Sequence, residues 1–569
     1  MTTNQTRTKI KTIGPKAAVA DSDRYFFIAV SLVVGLTVTW ALSATSFLGG
    51  LPIARWQSVA GVLTALLCLV LLQDDKRERL LSILFFVGIV VSALAISTIT
   101  VDKSWDGWAY HQLGAISLAN GWNPVREPLV HAWFALNSSA LGYPSDASLP
   151  NGIWTSFYPK ASWILASQPM MWGLPLDSGK FLGMLLIFVS GIVAFRALRV
   201  REMPACWSYL LATLVALNPV AIAQATTYYV DGLLGSCLSI LIFSLLSFDR
   251  TRNSLDLLLV ICASLIAINL KFTGPIYTFL IVFPSLLWWL WKKRIGLQHW
   301  LMLGAGLLIL ITSSVNPYFT NMRIGGSPIH PLNRMDVMQY QMSPKFLEKD
   351  RFSKLLISLN FSNIADQQVL KLSNPLQSRG VKELHKFVTS VDLRIGGFGP
   401  FFGVVLGLAL LAIGLLAYPP TSKRDIGFLL IVFGIVMSIV ANPEMWWARY
   451  VPQMWILPIL ASASIIQSGK YKWIALTTIG LMGLTSLVSF GGWTVSTSVV
   501  SARYQDNLNK VTNKFLLIEE NNSQRVFLPA LAYRLRDQGI TLRLSDKVCE
   551  NPIELVWVKG CSLEVNIER

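Results

Sequence analysis

The stretch VDKSWDGWAYHQLGAISLANGWNPVREP, residues 101–128, carries six charged or ionisable side chains between two strongly apolar segments. Asp106 is a residue type that caps helices, and the spacing predicts a short helix over 107–119 that ends before Gly121 and Asn123-Pro124. This helix is too short to cross a bilayer, and its tryptophans suit a membrane interface. The stretch therefore predicts a surface helix that holds a carboxylate at the mouth of a transmembrane bundle.

Three side chains of this helix are expected to share one cavity. Tyr110 and His111 follow Asp106 by about one helical turn, so that all three can face the same side. Asp102 lies four residues earlier, near the end of the preceding apolar segment, and we expect Asp102→Asn to have a mild effect.

The composition indicates an integral membrane protein. The chain has 569 residues, of which 53% are hydrophobic and 14% charged, whereas soluble chains carry about 25% charged residues. The mean hydropathy is +0.52. The formal charge of +17 does not indicate a nucleic-acid partner, because the basic residues are scattered at the ends of apolar segments, as the positive-inside rule explains.

About thirteen apolar runs are long enough to span or nearly span a bilayer. They are residues 25–47, 56–73, 80–100, 179–198, 206–224, 230–248, 255–270, 275–291, 301–315, 399–417, 425–441, 452–467 and 473–490. Short basic clusters occupy alternate connections, which predicts a cytoplasmic N-terminus in a plasma or bacterial inner membrane. We expect a cytoplasmic tail over 1–24, a bundle over 25–490 with outer loops 101–178 and 316–398, and an exported domain over 491–569.

The exported segment is polar enough to form a small α/β domain. We expect a helix to about Glu520, a second helix over 530–538, and strands over 540–544 and 553–558. Cys549 and Cys561 lie in this segment and either form a disulfide or stay unpaired, since spacing does not determine geometry.

Ionisable residues gather near the outer ends of the spans. An ionisable group at membrane depth is costly and suggests function, although capping, snorkelling or an Arg449–Glu444 pair would explain single cases. Cations can hold a lipid phosphate while a carboxylate orients or deprotonates an acceptor. The candidates for binding are Asp231, Lys271, Arg323, His330 and Arg449.

Five stretches resemble the GT-C class of membrane glycosyltransferases, which use polyprenyl-phosphate-linked sugars and include protein O-mannosyltransferases and lipid A aminoarabinose transferases. They are SWDGWAYHQLGAISLANGWNP at 104–124, YPKASWILASQPMMWGLPLDSGKFLGMLLIFVSGIVAFRALR at 158–199, TTYYVDGLL at 226–234, NPYFTNMRIGGSPIHPLN at 316–333 and WWARYVP at 446–452. The resemblance implies a mainly α polytopic bundle and transfer of a sugar from a polyprenyl-phosphate donor to a lipid, glycan or protein acceptor, with inversion.

By this resemblance Asp106 takes the role of the catalytic carboxylate, Tyr110 lies beside the substrate, and His111 is either a proton acceptor or a hydrogen-bonding helix residue. An N-cap position is expected to lower the pKa of Asp106, which favours an orienting role. Members of the class often place an adjacent acidic pair directly after the first span, whereas here two further apolar runs precede the loop and Gly107 follows Asp106. The subfamily and the use of a divalent metal, Mg or Mn, therefore stay open.

Two other functions compete with this hypothesis. An O-antigen ligase or polymerase-like enzyme would share the spans and the basic phosphate-binding residues, but would place its chemistry in 316–398. A transporter would require inverted repeats and ionisable residues near the midplane, whereas the charged residues of this chain are expected at one face.

Overall fold

The computed structural model describes residues 15–143, 149, 151–335, 341, 344–360, 378–417, 425–511, 515–519, 522–545 and 552–562. Within these ranges the α-helices are α1 Pro15–Leu48, α2 Arg55–Leu72, α3 Lys76–Ile99, α4 Gln112–Ala119, α5 Val130–Asn137, α6 Gly152–Phe157, α7 Ala161–Met171, α8 Phe181–Val200, α9 Ala205–Ala216, α10 Pro219–Ala223, α11 Asp231–Thr251, α12 Ser254–Leu270, α13 Gly274–Trp291, α14 Leu297–Ser313, α15 Thr320–Gly325, α16 Pro344–Leu347, α17 Arg351–Asn360, α18 Ser378–Thr389, α19 Phe402–Ala417, α20 Ile426–Val440, α21 Ile456–Ser468, α22 Lys472–Asn509, α23 Asn522–Arg525 and α24 Leu528–Arg536. The strands are β1 Phe515–Glu519, β2 Thr541–Ser545, β3 Ile553–Leu555 and β4 Val558–Ser562.

Apolar helices dominate the described residues, which confirms the prediction of a mainly α polytopic membrane protein. Seven helices there are long and apolar enough to cross a membrane, and an eighth span results if α14 and the segment Val315–Gly325, bent by 52°, count as one. Four shorter apolar helices accompany them. Every predicted apolar run coincides with a helix or a helix pair, but several of these helices are shorter than a full span.

Asn-Pro pairs end several of these helices. The helix α9 stops at Ala216, two residues before Asn218-Pro219, and α20 stops at Val440, before Asn442-Pro443. Proline cannot donate the next helical hydrogen bond, and the residue before it is pushed out of the helical conformation. The irregular backbone that follows carries several of the candidate site residues.

Helix α11 forms the centre of the bundle. Its residues are buried from Asp231 to Asp249, as expected for a helix that is apolar around its whole circumference, and it packs against α8 and α12. Small side chains permit close approach: a Cβ added at Gly235 would lie 2.8 Å from Pro452 Cβ. The central position of α11 places its first residue, Asp231, among the elements that surround one end of the bundle.

Basic connections meet at the opposite end of the bundle. Asp425, before α20, pairs with Arg201 at 2.6 Å and with Arg250 at 3.3 Å, and Asp249 pairs with Arg294 at 3.7 Å. The connections after α8, α11, α13 and α19 are thus neighbours in space. Three of the basic clusters that were expected to share one side of the membrane, those with Arg201, Arg250 and Arg294, lie near one another.

The C-terminal domain contains a four-stranded sheet of order β2-β1-β4-β3, in which β1 and β2 are parallel and the other pairs antiparallel. The expected helix to Glu520 is wrong: α22 ends at Asn509, and 515–519 is a strand. Leu516 and Ile518 are fully buried and alternate with less buried residues, which is the period of a half-buried strand. Helix α22 also continues without a break past residue 490, where we expected the domain to begin.

A buried charge network joins this domain to the bundle. Arg534 of α24 forms a two-point ion pair with Asp177 and donates to Gln112 Oε1 at 3.0 Å. Lys180 pairs with the same Asp177 at 2.7 Å, and the Arg534 guanidinium lies 4.9 Å from the Trp108 ring centre. We call the end of the bundle at which residues 101–128, residues 389–394 and the C-terminal domain meet the site face.

Replacement of Arg534 by methionine is expected to loosen the C-terminal domain. Breaking one partner of a buried ion pair costs about 3–5 kcal/mol because the other charge is left unsatisfied. Limited proteolysis should therefore release the domain faster from Arg534→Met than from the wild type. Lys559→Met is the control, since Lys559 pairs with Glu554 within the domain and both side chains are exposed; equal release rates for Arg534→Met and Lys559→Met would contradict the role of Arg534 in holding the domain.

Candidate functional site

Asp106 lies directly before a single π-helical turn, Gly107–His111, which continues into α4. A helix is present at the predicted position, but the expectation of a surface helix is wrong, because residues 107–118 and Trp122 are buried in the protein. Asp106 has helical dihedrals, φ −60° and ψ −34°, and makes no side-chain capping hydrogen bond. The N-cap hypothesis is therefore wrong. Because its side chain is not used by the helix end, the carboxylate is free to enter the ion-pair cluster described below.

Asp102 organises this loop instead. Its carboxylate accepts hydrogen bonds from the backbone N–H groups of Ser104 (2.8 Å) and Tyr228 (3.2 Å) and from Gln112 Nε2 (2.9 Å). Asp102 is fully buried, and burial raises its pKa. The mild effect expected of Asp102→Asn stays a prediction; the amide would keep one of the two oxygens that accept these buried hydrogen bonds.

Arg449 joins three carboxylates that lie far apart in the sequence. Its Nη1 atom lies 3.3 Å from Asp106 Oδ2 and 3.8 Å from Asp231 Oδ2, and its Nε atom lies 3.2 Å from Asp392 Oδ1. The guanidinium is buried and also lies 4.9 Å from the Tyr229 ring centre. We call Arg449, its three carboxylates, Lys271 and Arg394 the arginine cluster.

Lys271 and Asp231 form the second ion pair of the cluster. Asp231 is the first residue of α11, where a carboxylate is favoured by the helix dipole, and its Oδ1 atom accepts from Lys271 Nζ. The ammonium lies 4.0 Å from the Tyr450 ring centre. Burial lowers the pKa of Lys271, although Asp231 opposes this effect.

Asp392 and Arg394 belong to the site and were missed by the sequence analysis. Arg394 donates to Asp392 Oδ2 from Nη2 at 2.7 Å, and the backbone N–H of Arg449 donates to the Leu393 carbonyl at 3.0 Å. Burial acts to raise the pKa of Asp392, but the two guanidinium groups outweigh it and hold the pKa below its usual value. The sequence signal that could have identified both residues is the acid and the arginine two positions apart in VDLR, residues 391–394.

The pKa of Asp106 is raised to about 6. Burial is the main cause and is opposed by Arg449, while Asp392 and Asp231 add to the increase. The expectation of a lowered pKa is thus wrong, for the same reason that the cap is absent. A carboxylate with a pKa close to neutral can accept a proton from a hydroxyl group more readily than an ordinary aspartate.

His111 and Tyr110 pack in an aromatic layer beneath the carboxylate. Trp163 Nε1 donates to His111 Nδ1 at 2.8 Å, so that Nδ1 is unprotonated. Burial, reinforced by Arg449 and Lys271, lowers the pKa of His111 well below its usual value. The Tyr110 ring centre lies 4.3 Å from that of His111, and the tyrosine favours the charged form of Asp106. The structure thus favours the hydrogen-bonding role for His111.

A cavity of about 560 Å³ opens beside the cluster. Residues from the first loop, the bundle, the segment 389–394 and the C-terminal domain line it together; they are Lys103, Trp105, Asp106, Tyr229, Gln341, Thr389, Ser390, Val391, Asp392, Arg394, Arg449 and Trp557. Lys103 was not identified from the sequence; it donates to Ser496 Oγ at 2.7 Å, and burial lowers its pKa to about 8.

Arg323 and His330 lie apart from this group. Arg323 is exposed on α15, and the His330 ring packs edge-on against Phe157 with the ring centres 4.6 Å apart. Neither is among the described residues that line the cavity. Their assignment to donor binding stays a prediction without support from this geometry.

The carboxylates of the cluster do not form a metal site. Each faces the Arg449 guanidinium, and within the described ranges no group of three His, Cys, Asp or Glu side chains is arranged to hold a metal ion. The acids present thus act as partners of cations, and we assign no chemical step to Mg or Mn.

Cys561 lies in β4 and is disulfide-bonded. Its expected partner, Cys549, lies outside the described residues, so that the pairing stays a prediction. The remaining cysteines, Cys68, Cys206, Cys237 and Cys262, are free.

Comparison of this chain with known proteins found similarity to solved structures but no match in sequence to a family model or a curated protein. Among solved structures, the chain is similar to ArnT from Cupriavidus metallidurans bound to undecaprenyl phosphate, with a TM-score of 0.41 and 13% sequence identity over 81% of this chain and 85% of that chain.

Proposed function

We propose that this chain is a GT-C class glycosyltransferase that moves a sugar from a polyprenyl-phosphate lipid to an acceptor at the site face. One observation carries the proposal: a carboxylate with a raised pKa and a buried guanidinium meet at the wall of a cavity of about 560 Å³. This pair provides an acceptor for the hydroxyl proton and a cation for the phosphate in one place. The motif resemblance in the loops agrees with it.

The charges suit a phosphodiester donor. The arginine cluster has three carboxylates and three cations, and Lys103 adds one further positive charge at the cavity wall. A polyprenyl-phosphate sugar carries one negative charge, which this excess would balance. Loss of the sugar leaves a second negative charge on the phosphate, and cations already in place stabilise it without reorganisation.

In the proposed reaction Asp106 is the general base. An acceptor hydroxyl oxygen attacks C1 of the sugar and gives its proton to the Asp106 carboxylate. The bond from C1 to the phosphate oxygen breaks, and its electron pair remains on the phosphate beside Arg449 and Lys103. Attack from the face opposite the phosphate inverts the configuration at C1. Lys271 acts mainly through Asp231, because their ion pair holds the carboxylate against Arg449.

The direct test uses radiolabelled hexose and pentose donors on polyprenyl phosphate in proteoliposomes that contain the full chain. We expect label to move from at least one monophosphate donor to an added glycan, lipid or protein acceptor. Label that moves only from a diphosphate-linked glycan would favour the ligase class, and label that crosses the bilayer without a change of its linkage would favour a transporter.

The rate of transfer is expected to depend on pH with two limits. Below about 6 Asp106 is protonated and cannot accept a proton, so that activity rises with pH through this value. Above about 8 Lys103 loses its positive charge, so that activity falls. In a pH profile of kcat/KM, Lys103→Arg should move the upper limit to higher pH and leave the lower limit unchanged; a wild-type profile that is flat across both values would contradict these roles.

We propose further that the site face is exported and the N-terminus cytoplasmic, in the plasma or bacterial inner membrane. The meeting of the basic connections at the opposite end of the bundle supports this orientation. A reporter that is active only outside the membrane should be active when it is fused after Arg569 and inactive when it is fused before Met1. The reverse result would place the cavity in the cytoplasm.

A further inference from the structure

We propose that Trp105, Phe527 and Trp557 form a platform that binds a sugar ring of the acceptor. This inference rests on the proposed function and assigns an acceptor subsite to the same cavity. The Trp105 and Phe527 ring centres lie 5.8 Å apart at an angle of 86°, and those of Phe527 and Trp557 lie 5.7 Å apart at 25°. Phe527 is buried between the two tryptophans, which are 41% and 39% exposed.

The exposed tryptophans do not have the surroundings of lipid anchors. Both line the cavity together with Lys103, Asp106 and Arg394, whereas an interfacial anchor would turn its ring toward acyl chains and headgroups. Aromatic side chains that line a cavity together with a few polar or charged groups are typical of ligand-binding sites.

A pyranose ring has the chemistry that this platform can recognise. One face of the ring presents C–H groups with partial positive charge, which pack on the negative face of an indole. The hydroxyl groups project from the edge of the ring and require hydrogen-bond partners. Lys103, Asp392 and Arg394 supply charged partners on the same cavity wall. A polyprenyl tail offers these polar groups no hydrogen-bonding atoms, so that the acceptor glycan is the better occupant.

The platform combines two parts of the chain. Trp105 directly precedes Asp106, so that a ring bound there lies beside the proposed base. Trp557 lies in the turn between β3 and β4, after Val556, whose φ of 57° is in the left-handed region. A β-branched residue is strained in this conformation, and the turn that imposes it presents the indole to the cavity. The C-terminal domain thus contributes directly to acceptor binding.

Saturation-transfer NMR on the full chain in nanodiscs tests the platform without requiring transfer. The probes are methyl glycosides of hexoses, pentoses and N-acetylhexosamines, and the corresponding disaccharides. They are added at up to about 10 mM, because a ligand with a dissociation constant near 1 mM occupies most of the binding sites at this concentration. We expect Trp557→Ala to weaken binding of the best probe about tenfold or more, since stacking on an aromatic ring contributes on this scale. Trp557→Phe should stay within about threefold of the wild type because it keeps an aromatic face.

Trp300→Ala is the matched control, because Trp300 is an exposed tryptophan of α14 that does not line the cavity. Equal binding by Trp557→Ala and the wild type, or no binding of any probe by the wild type, would overturn the platform. Transfer of the sugar from a polyprenyl-phosphate donor to an added acceptor by the same samples is measured separately. If glycosides bind through Trp557 but no sugar is transferred from the donor, the proposed function is rejected and the platform is kept. If sugar is transferred from the donor but no glycoside binds through Trp557, the platform is rejected and the proposed function is kept.

Discussion

Asp106→Asn is expected to lower sugar transfer by a factor of about 100 or more, since positioned acid–base groups contribute at least this much. The amide keeps the size of the side chain but cannot accept the hydroxyl proton. The N-terminal end of the helix should not be destabilised, because Asp106 makes no capping hydrogen bond. Transfer rates under donor saturation and thermal unfolding should be measured on the same preparation, and we expect only the rate to collapse.

Asp506→Asn provides the control for this experiment. Asp506 lies on α22, is 70% exposed and pairs with Lys510 at the surface at 2.8 Å, so that loss of its charge should change the transfer rate little. If folded Asp106→Asn transfers sugar at the wild-type rate, Asp106 is not the base. Asp231 would then be the next carboxylate to test.

Arg449→Met is expected to abolish transfer and also to destabilise the protein by about 3–5 kcal/mol, because a buried charge network loses its central partner. The expected loss of stability follows from the geometry, since the guanidinium holds Asp106, Asp231 and Asp392 together. Arg449→Lys should not restore activity, as an ammonium cannot reach all three carboxylates with the geometry of a planar guanidinium.

A double substitution separates the two effects of Arg449. Adding Asp106→Asn to Arg449→Met neutralises the carboxylate that loses its cation partner, whereas Asp392 keeps Arg394 and Asp231 keeps Lys271, so that part of the lost melting temperature should return while transfer stays absent. The coupling is read from a double-mutant cycle of thermal unfolding. An unchanged melting temperature in Arg449→Met alone would show that the cluster does not stabilise the fold.

The sequence alone predicts much of the helical architecture because the bilayer constrains composition directly. A spanning segment must be apolar and must satisfy its backbone hydrogen bonds internally, and each apolar run was found as a helix or a helix pair. Asn-Pro pairs likewise predicted where helices end. The sequence also singled out residues 101–128 as a candidate site, because ionisable side chains between apolar segments are rare.

Local sequence could not predict what the ionisable residues do. Asp102 and Asp106 are four residues apart and look alike in the sequence, yet one accepts hydrogen bonds from the loop backbone and the other faces Arg449. Capping propensity favoured the wrong role for Asp106, because contacts across the fold override local preferences.

The sequence by itself determined the apolar helices, their ends and the clustering of basic connections, since each follows from interactions between near neighbours or with the bilayer. Only the tertiary structure decided that Arg449 meets Asp106 and Asp392, and that Trp557 of the C-terminal domain lines the cavity. The raised pKa of Asp106 was also decided only by the tertiary structure. It depends on burial and on charges supplied by distant segments, and both arise only when the chain has folded.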